Sequence, residues 1–335
     1  MPRAERLAWL LSVAFIFVAC TSATAPPSPT STLSPTPTPA APAPSPREAE
    51  VLAQIVGGNG PCAVTALGDT IWVTAYGSGG IYSIDPATND IASDIDLGLG
   101  SQPCGVTAAG DRLWVGILGQ DELVAVDPEA GEVVDHVELG GDPWDVQAGH
   151  GSVWVAVRSL DEVWRMDPES GEVLATVPAG STVTGLAITP TEVWVANRGD
   201  RTITRIDPET NTVAGLIGLE AAPYWFAVSP DAVIVTLSDA ATVALLDPET
   251  GSVVSTVAVG NQPRDPGLVG GLFWVANQGN DTVSVIDPLT GDIVDTLLLA
   301  DAAGIFVTEG LLGDGWVLDF GGRDVFRLTA IDAAV

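Results

Sequence analysis

Between residues 183 and 220 the apolar residues fall into four short runs, V-T-G-L-A-I, T-E-V-W-V-A-N-R, R-T-I-T-R-I-D and T-V-A-G-L-I-G-L, each rich in β-branched side chains. Runs of this length and composition predict short β-strands, four in about forty residues. No segment between them holds a 3.6-residue period long enough for a helix, which argues against leucine-rich, ankyrin and tetratricopeptide arrays. The pattern then returns along the chain. Asp-Pro begins at residues 85, 127, 167, 207, 247 and 287, at intervals of 42, 40, 40, 40 and 40. Thirteen residues before each Asp stands Trp72, Trp114, Trp154, Trp194, Ile234 or Trp274, and a last unit keeps Trp316 while Thr329 replaces its Asp. Seven helix-free units of four strands predict an all-β, seven-bladed β-propeller of four-stranded antiparallel blades.

The two ends of the repeat predict how the ring closes. Ala49–Ile55 reads like Gly171–Val177, a fourth strand with no strands before it, while the unit around Trp316 and Val325 has little chain left for its own. The N-terminal strand is therefore expected to complete blade seven and remove an exposed edge. Asp-Pro-Glu-Thr-Gly has a sufficient structural reading as a tight turn between third and fourth strands. Asp caps backbone N–H groups, Pro presets φ, and Gly accepts positive φ. One such Asp per blade, spread around the ring, makes a poor calcium site. The Trp series is expected to fill the space between blades.

Composition adds a cellular context. Arg3 and Arg6 precede an apolar run from Leu7 to Ala19, the charged and apolar regions of an export signal and too short to span a bilayer. Phe17-Val18-Ala19-Cys20 resembles a bacterial lipobox, with Phe17 where Leu or Val is usual, and implies lipidation at Cys20. Residues 1–20 are read as the signal, and residues 21–48, almost only Pro, Thr, Ser and Ala as far as 47, as a tether that buries no apolar surface. Extended at roughly 3 Å per residue, it would hold the propeller of residues 49–335 on the order of 80 Å from a membrane. The expected location is the extracytoplasmic side of the cell membrane, with contact through the lipid anchor only. The net charge of −31, from 43 acidic residues against 12 Arg and no Lys, repels polyanions and excludes nucleic acid as a partner. Acidity on this scale serves solubility outside the cell or recruits a basic partner.

The units W-V-A-N-R-G-D-R-T-I-T-R-I-D-P-E-T and W-V-A-N-Q-G-N-D-T-V-S-V-I-D-P-L-T resemble the YVTN-type propeller repeat, with Trp where that family name has Tyr. The resemblance covers about residues 49 to 329 and extends to virginiamycin B lyases, which use His and Glu around a divalent metal. It implies an exported propeller and leaves the function open.

In such a blade the turns after strands one and three share a face with the Asp-Pro set, and variation gathers on the opposite face, where binding loops are expected. Alignment on the Trp series puts Cys62, Cys104, Trp144, Thr184, Tyr224, Arg264 and Phe306 at the start of the innermost strands. Ala63, Gly105, Asp145, Gly185, Trp225, Asp265 and Val307 follow, with a one-residue slip open in blade seven. Trp144, Asp145, Tyr224, Trp225, Arg264 and Asp265 would wall a pocket with aromatic sides and both signs of charge, or plug the channel and pair with one another. Arg158 and Arg198 join at one matched loop position, Arg201 and Arg323 at another, so five of nine domain Arg map to this face. Forked guanidinium groups recognise carboxylate or phosphate. Pairing with Asp145, Asp161, Asp200 and Asp265 is the local alternative. Cys62 and Cys104, each after a Pro, are either a disulfide or two buried thiols.

His136 and His150 both align away from the channel, and no nucleophile with an adjacent base, phosphate loop or Cys/His zinc spacing is present. The sequence therefore reads as a monomeric module that binds a small molecule or a protein through the variable face, with no cofactor. The alternatives are a divalent-metal lyase or lactonase built on Asp145, Asp265, Asn197 and Asn277, and a scaffold.

Overall fold

A computed structural model describes residues 44–302 and 304–331; the signal-like segment, Cys20 and most of the tether lie outside the described residues. The described chain is a seven-bladed propeller, all strand apart from two three-residue 3-10 turns. The innermost strands are Pro61–Leu67, Pro103–Ala109, Pro143–Gly149, Val183–Ile188, Phe226–Val228, Pro263–Val269 and Ile305–Leu311. Each pairs antiparallel with the next strand of its blade. Blades six and seven are joined at their inner edges by a parallel pairing of Asp265 with Val307. That pairing fixes the register of blade seven without a slip.

Ring closure follows the sequence expectation. Val51–Val56 pairs antiparallel with Asp324–Leu328 and supplies the fourth strand of blade seven. Pairing also begins before residue 49: Arg47 and Glu48 run parallel to Leu297 and Leu298 on the outer edge of blade six, with Arg47 bound to Asp295 at 2.6 Å.

The repeat residues do what their chemistry predicts. Trp72, Trp114, Trp154, Trp194, Trp274 and Trp316 are all at most 4 % exposed, and Ile234 is fully buried. In each Asp-Pro turn from Asp85 to Asp287 the Asp accepts backbone N–H bonds two or three residues on, as Asp167 does from Glu169 and Ser170 at 3.0 and 2.8 Å. Those bonds hold the Asp167, Asp207 and Asp247 carboxyls below the usual range.

Contacts between blades add a clasp that the repeat alone does not announce. Arg165, Arg205 and Arg327 sit at one position of the third strand, each lying over its own blade's Trp at 5.2 to 5.5 Å. Each reaches the Asp-Pro turn of the following blade. Arg205 binds Glu192 in its own blade at 2.6 and 3.0 Å and donates to the carbonyls of Glu249 and Thr250 at 3.1 and 2.9 Å. Arg327 binds Asp314, the Pro86 carbonyl and Asn89, and so clasps the last blade to the first.

Candidate functional site

Each inner strand but that of blade five breaks register at its start, as between Pro143 and Asp145 and between Pro263 and Pro266. Such irregularities re-aim side chains next to binding sites. Tyr224 and Trp225 precede the strand of blade five, held by Thr236 through backbone bonds of 2.9 Å in both directions.

The aromatic residues gather into one continuous cluster. Trp225 stands edge-on to Tyr224 at 3.7 Å between centroids, stacks with Trp144 at 6.3 Å and meets Phe306 at 5.0 Å. Phe306 continues to Phe320 at 5.1 Å, and Phe320 to Tyr76 at 5.7 Å. Tyr224 and Trp225 are 8 and 6 % exposed, so they form a floor instead of the pocket walls expected from sequence. Trp144, Phe306, Phe320 and Tyr76 keep partial exposure. The Trp144 indole N–H is buried and has no partner among the described residues.

Three guanidinium groups lie on this floor. Arg158 sits 3.6 Å above the Trp144 ring, Arg198 5.1 Å from Tyr224, and Arg264 5.5 and 5.7 Å from Tyr224 and Phe306. Their pairing differs from the expected set. Arg158 binds Asp142 at 2.6 Å, and Arg198 approaches the exposed Asp239 at 3.4 Å. Arg264 donates to the Gln278 amide oxygen at 2.7 Å instead of a carboxylate. Asp161 and Asp200, anticipated as their partners, accept loop N–H groups from Thr182 and Ser181.

Two further sequence candidates separate from the mouth. Arg323 is exposed at the joint of blades seven and one, where it donates twice to the Gly57 carbonyl at 3.0 and 2.8 Å. Asp145 points inward, 8 % exposed, and accepts from Val146, Gln147 and the Leu186 N–H of the next blade at 2.8, 3.2 and 2.7 Å. It stitches blades three and four and presents no free edge to a ligand at the mouth.

Below the floor Asp145, Asp265 and Glu309 form an acidic group in the channel, and Glu309, which sequence reasoning missed, faces a cavity of about 370 Å³. Burial raises all three carboxyls: Asp145 to about 6, Glu309 to about 8 with Asp145 adding repulsion, and Asp265 well above its ordinary value with Glu309 and Asp145 adding. The signal was available: Glu309 is the one acid in the register two residues after Asp145, Asp265 and Val307, and alternate strand residues share a face. Asn197 and Asn277, the amides of the enzyme alternative, are fully buried and tie strands together through Thr202, Thr204, Thr282 and Ser284.

Cys62 and Cys104 form a disulfide between the inner strands of blades one and two, with Cα atoms 5.1 Å apart. It completes the mouth register opposite the guanidinium groups. His136 approaches Glu122 at 3.2 Å on an outer strand, and His150 contacts the Thr189 carbonyl in a turn on the other face.

No protein-family model matches the chain, and no curated protein does. Solved structures do. Virginiamycin B lyase from Staphylococcus aureus superposes with a TM-score of 0.74 at 14 % identity, covering 83 % of this chain and 99 % of its own. A streptogramin B lyase gives 0.73 at 15 %, covering 85 % and 97 %, and Kuenenia stuttgartiensis hydrazine synthase gives 0.71 at 13 %, covering 84 % and 97 %. The likeness is one of fold.

Proposed function

We propose that this propeller binds a small molecule carrying a carboxylate beside a planar or aromatic portion, through the mouth lined by Trp144, Tyr224, Phe306, Arg158, Arg198 and Arg264, without chemistry of its own. The observation that carries this reading is the placement of three guanidinium groups against one aromatic floor in a chain of net charge −31. Arginine is costly to gather in one place unless an anion joins it, and a guanidinium preset on a ring loses little freedom on binding. A ligand that stacks beside these groups gains a cation–π contribution of about 0.5–2 kcal/mol and charge-assisted hydrogen bonds of about 1.5–3 kcal/mol each.

A metal-dependent lyase is the second reading, favoured by the fold of the virginiamycin and streptogramin B lyases and by the raised carboxyls of Asp145, Asp265 and Glu309. Three findings weigh against it. Among the described residues no three His, Cys, Asp or Glu side chains are grouped to hold a metal. A histidine-to-alanine variant of the Staphylococcus aureus lyase is catalytically inactive, whereas His136 and His150 lie away from this mouth. Asn197 and Asn277 are spent inside their blades. Export and anchoring through Cys20 belong to the same proposal, with the tether holding the mouth clear of the membrane.

A thermal-shift screen of aromatic carboxylic acids, sugars, peptides and divalent metals tests the reading. Stabilisation by aromatic carboxylates that Arg264→Gln and Trp144→Ala both abolish is the expected result. Stabilisation by divalent metals alone transfers the assignment to the lyase reading.

A further inference from the structure

The seam where the ring closes carries a second recess, distinct from the mouth. Where Val56–Gly58 meets blade one, a cavity of about 580 Å³ is walled by Val56, Ile91 and Leu99 and bears Asp94, Asp96, Arg323 and Tyr82. Small-molecule sites span about 300–1,000 Å³. Val56, Ile91 and Leu99 are 60, 42 and 102 % exposed, apolar surface left in water along one rim.

The polar groups of this recess are largely uncommitted. The Asp94 carboxylate makes no hydrogen bond or ion pair with the described residues. Asp96 gives one carboxylate oxygen to the Gly98 N–H at 2.8 Å. Arg323 spends Nε and Nη2 on the Gly57 carbonyl, which leaves Nη1. Tyr82 is 2 % exposed, and its hydroxyl has no partner among the described residues. Burial and then Asp94 push the phenol upward, while Arg323 opposes them.

Comparison with the other blades shows that the hydroxyl is not a requirement of the fold. The equivalent positions hold Val124, Trp164, Thr204, Ala244, Ser284 and Phe326. The hydroxyls of Thr204 and Ser284 are each satisfied by an Asn amide, from Asn197 and Asn277 at 2.8 and 2.9 Å. Blade one has Ala75 in place of that Asn, and the Tyr82 ring carries its hydroxyl beyond the Oγ position to a buried point where no described residue bonds it. An unsatisfied buried hydroxyl is rare because its desolvation goes uncompensated. Gly57 makes the room: a Cβ there would lie 2.4 Å from the hydroxyl oxygen and from Cζ of Tyr82.

We propose that this seam recess binds an α-ammonium group with its adjacent carbonyl, the chemistry shared by a free amino acid and a peptide N-terminus. Asp94 and Asp96 receive the ammonium, which the protein's negative field also draws in. The carbonyl or carboxylate oxygen accepts from Arg323 Nη1 and the Tyr82 hydroxyl. An aliphatic side chain covers Val56, Ile91 and Leu99. This assignment does not depend on the mouth or on its ligand.

Calorimetric titration of the purified full chain with L-leucine, L-leucinamide and N-acetyl-L-leucine tests it. The expected result is binding of leucine, leucinamide or both, and none of the acetylated compound. Binding of leucine alone assigns the recess to free amino acids, and of leucinamide alone to peptide N-termini. Asp94→Asn is expected to weaken binding at least about tenfold without changing the melting temperature. Tyr82→Phe keeps the ring, so it is expected to leave the melting temperature unchanged or raised while affinity falls several-fold. Equal binding of N-acetyl-leucine, no binding of any probe at millimolar concentration, or an affinity unmoved by Asp94→Asn overturns the proposal.

Discussion

Replacing Glu309 by Gln removes a carboxyl that the folded channel holds protonated, so its effect on stability should appear only as pH rises. Burial, with Asp145 nearby, moves this group from an ordinary 4.5 to about 8. Between those values the folded state binds more protons than the unfolded one, and stability therefore falls as pH climbs through the interval. Every tenfold gain in proton affinity on folding corresponds to about 1.36 kcal/mol, which sets an upper bound of about 5 kcal/mol. Glu309 keeps some contact with the channel cavity and its charge is shared with Asp145 and Asp265. Allowing for that screening, we expect about 2–4 kcal/mol. The Gln side chain preserves shape and stays neutral, so Glu309→Gln should match the parent at about pH 4, below the ordinary value, and exceed it by that amount at about pH 9. For a domain of this size the gain is on the order of 3–7 °C in melting temperature. The assay is thermal or urea denaturation of both proteins across that pH range at fixed ionic strength. Because the two histidines and the carboxylates outside the channel are common to both, the difference curve reports Glu309 together with its coupling to Asp145 and Asp265. A flat difference curve would falsify the claim that the channel holds this carboxyl protonated.

The blade clasps, the core, the disulfide and the anchor each give a further expectation. Arg205→Ala removes the Glu192 pair and two carbonyl contacts on the next blade, and should lower stability by about 2–3 kcal/mol in denaturant titrations. Trp194→Ala leaves a cavity at a fully buried site and should cost about 3–5 kcal/mol by the same measurement. Loss of the disulfide by Cys62→Ser with Cys104→Ser opens a loop with a sequence separation of 42 and should cost up to about 4 kcal/mol, without an effect on far-ultraviolet circular dichroism. Metabolic labelling with a fatty acid should mark the parent chain and leave Cys20→Ala unlabelled; labelling of both would place any lipid elsewhere.

What was legible in sequence is what repeats. Asp-Pro turns and the Trp series recur because every blade needs the same turn and the same filler, so their spacing gave away the strand count and the closing strand. The mouth was legible for the same reason: Trp144, Tyr224 and Arg264 depart from a register whose other members are known. Their mutual arrangement was not legible, because whether rings stand apart as walls or lie together as a floor depends on side-chain packing across blades. Arg165, Arg205 and Arg327 escaped notice because their partners lie in a neighbouring blade, and no local pattern encodes a bond from a strand to the following turn. Tyr82 was invisible for the opposite reason. Its oddity is a buried hydroxyl with no partner, and a missing partner is evident only once the packed position is seen.

The central claim, that Arg158, Arg198 and Arg264 on their aromatic floor form an anion-binding mouth, is tested most directly by calorimetric titration of the best aromatic carboxylate from the screen. The parent should be compared with Arg158→Gln, Arg198→Gln, Arg264→Gln and, as a control on a different surface, Arg112→Gln. The account predicts at least about tenfold weaker binding for Arg264→Gln and clear losses for the other two mouth variants, with Arg112→Gln unchanged and affinity falling as salt rises. Equal affinities in all five proteins, or no carboxylate that binds the parent, would contradict it.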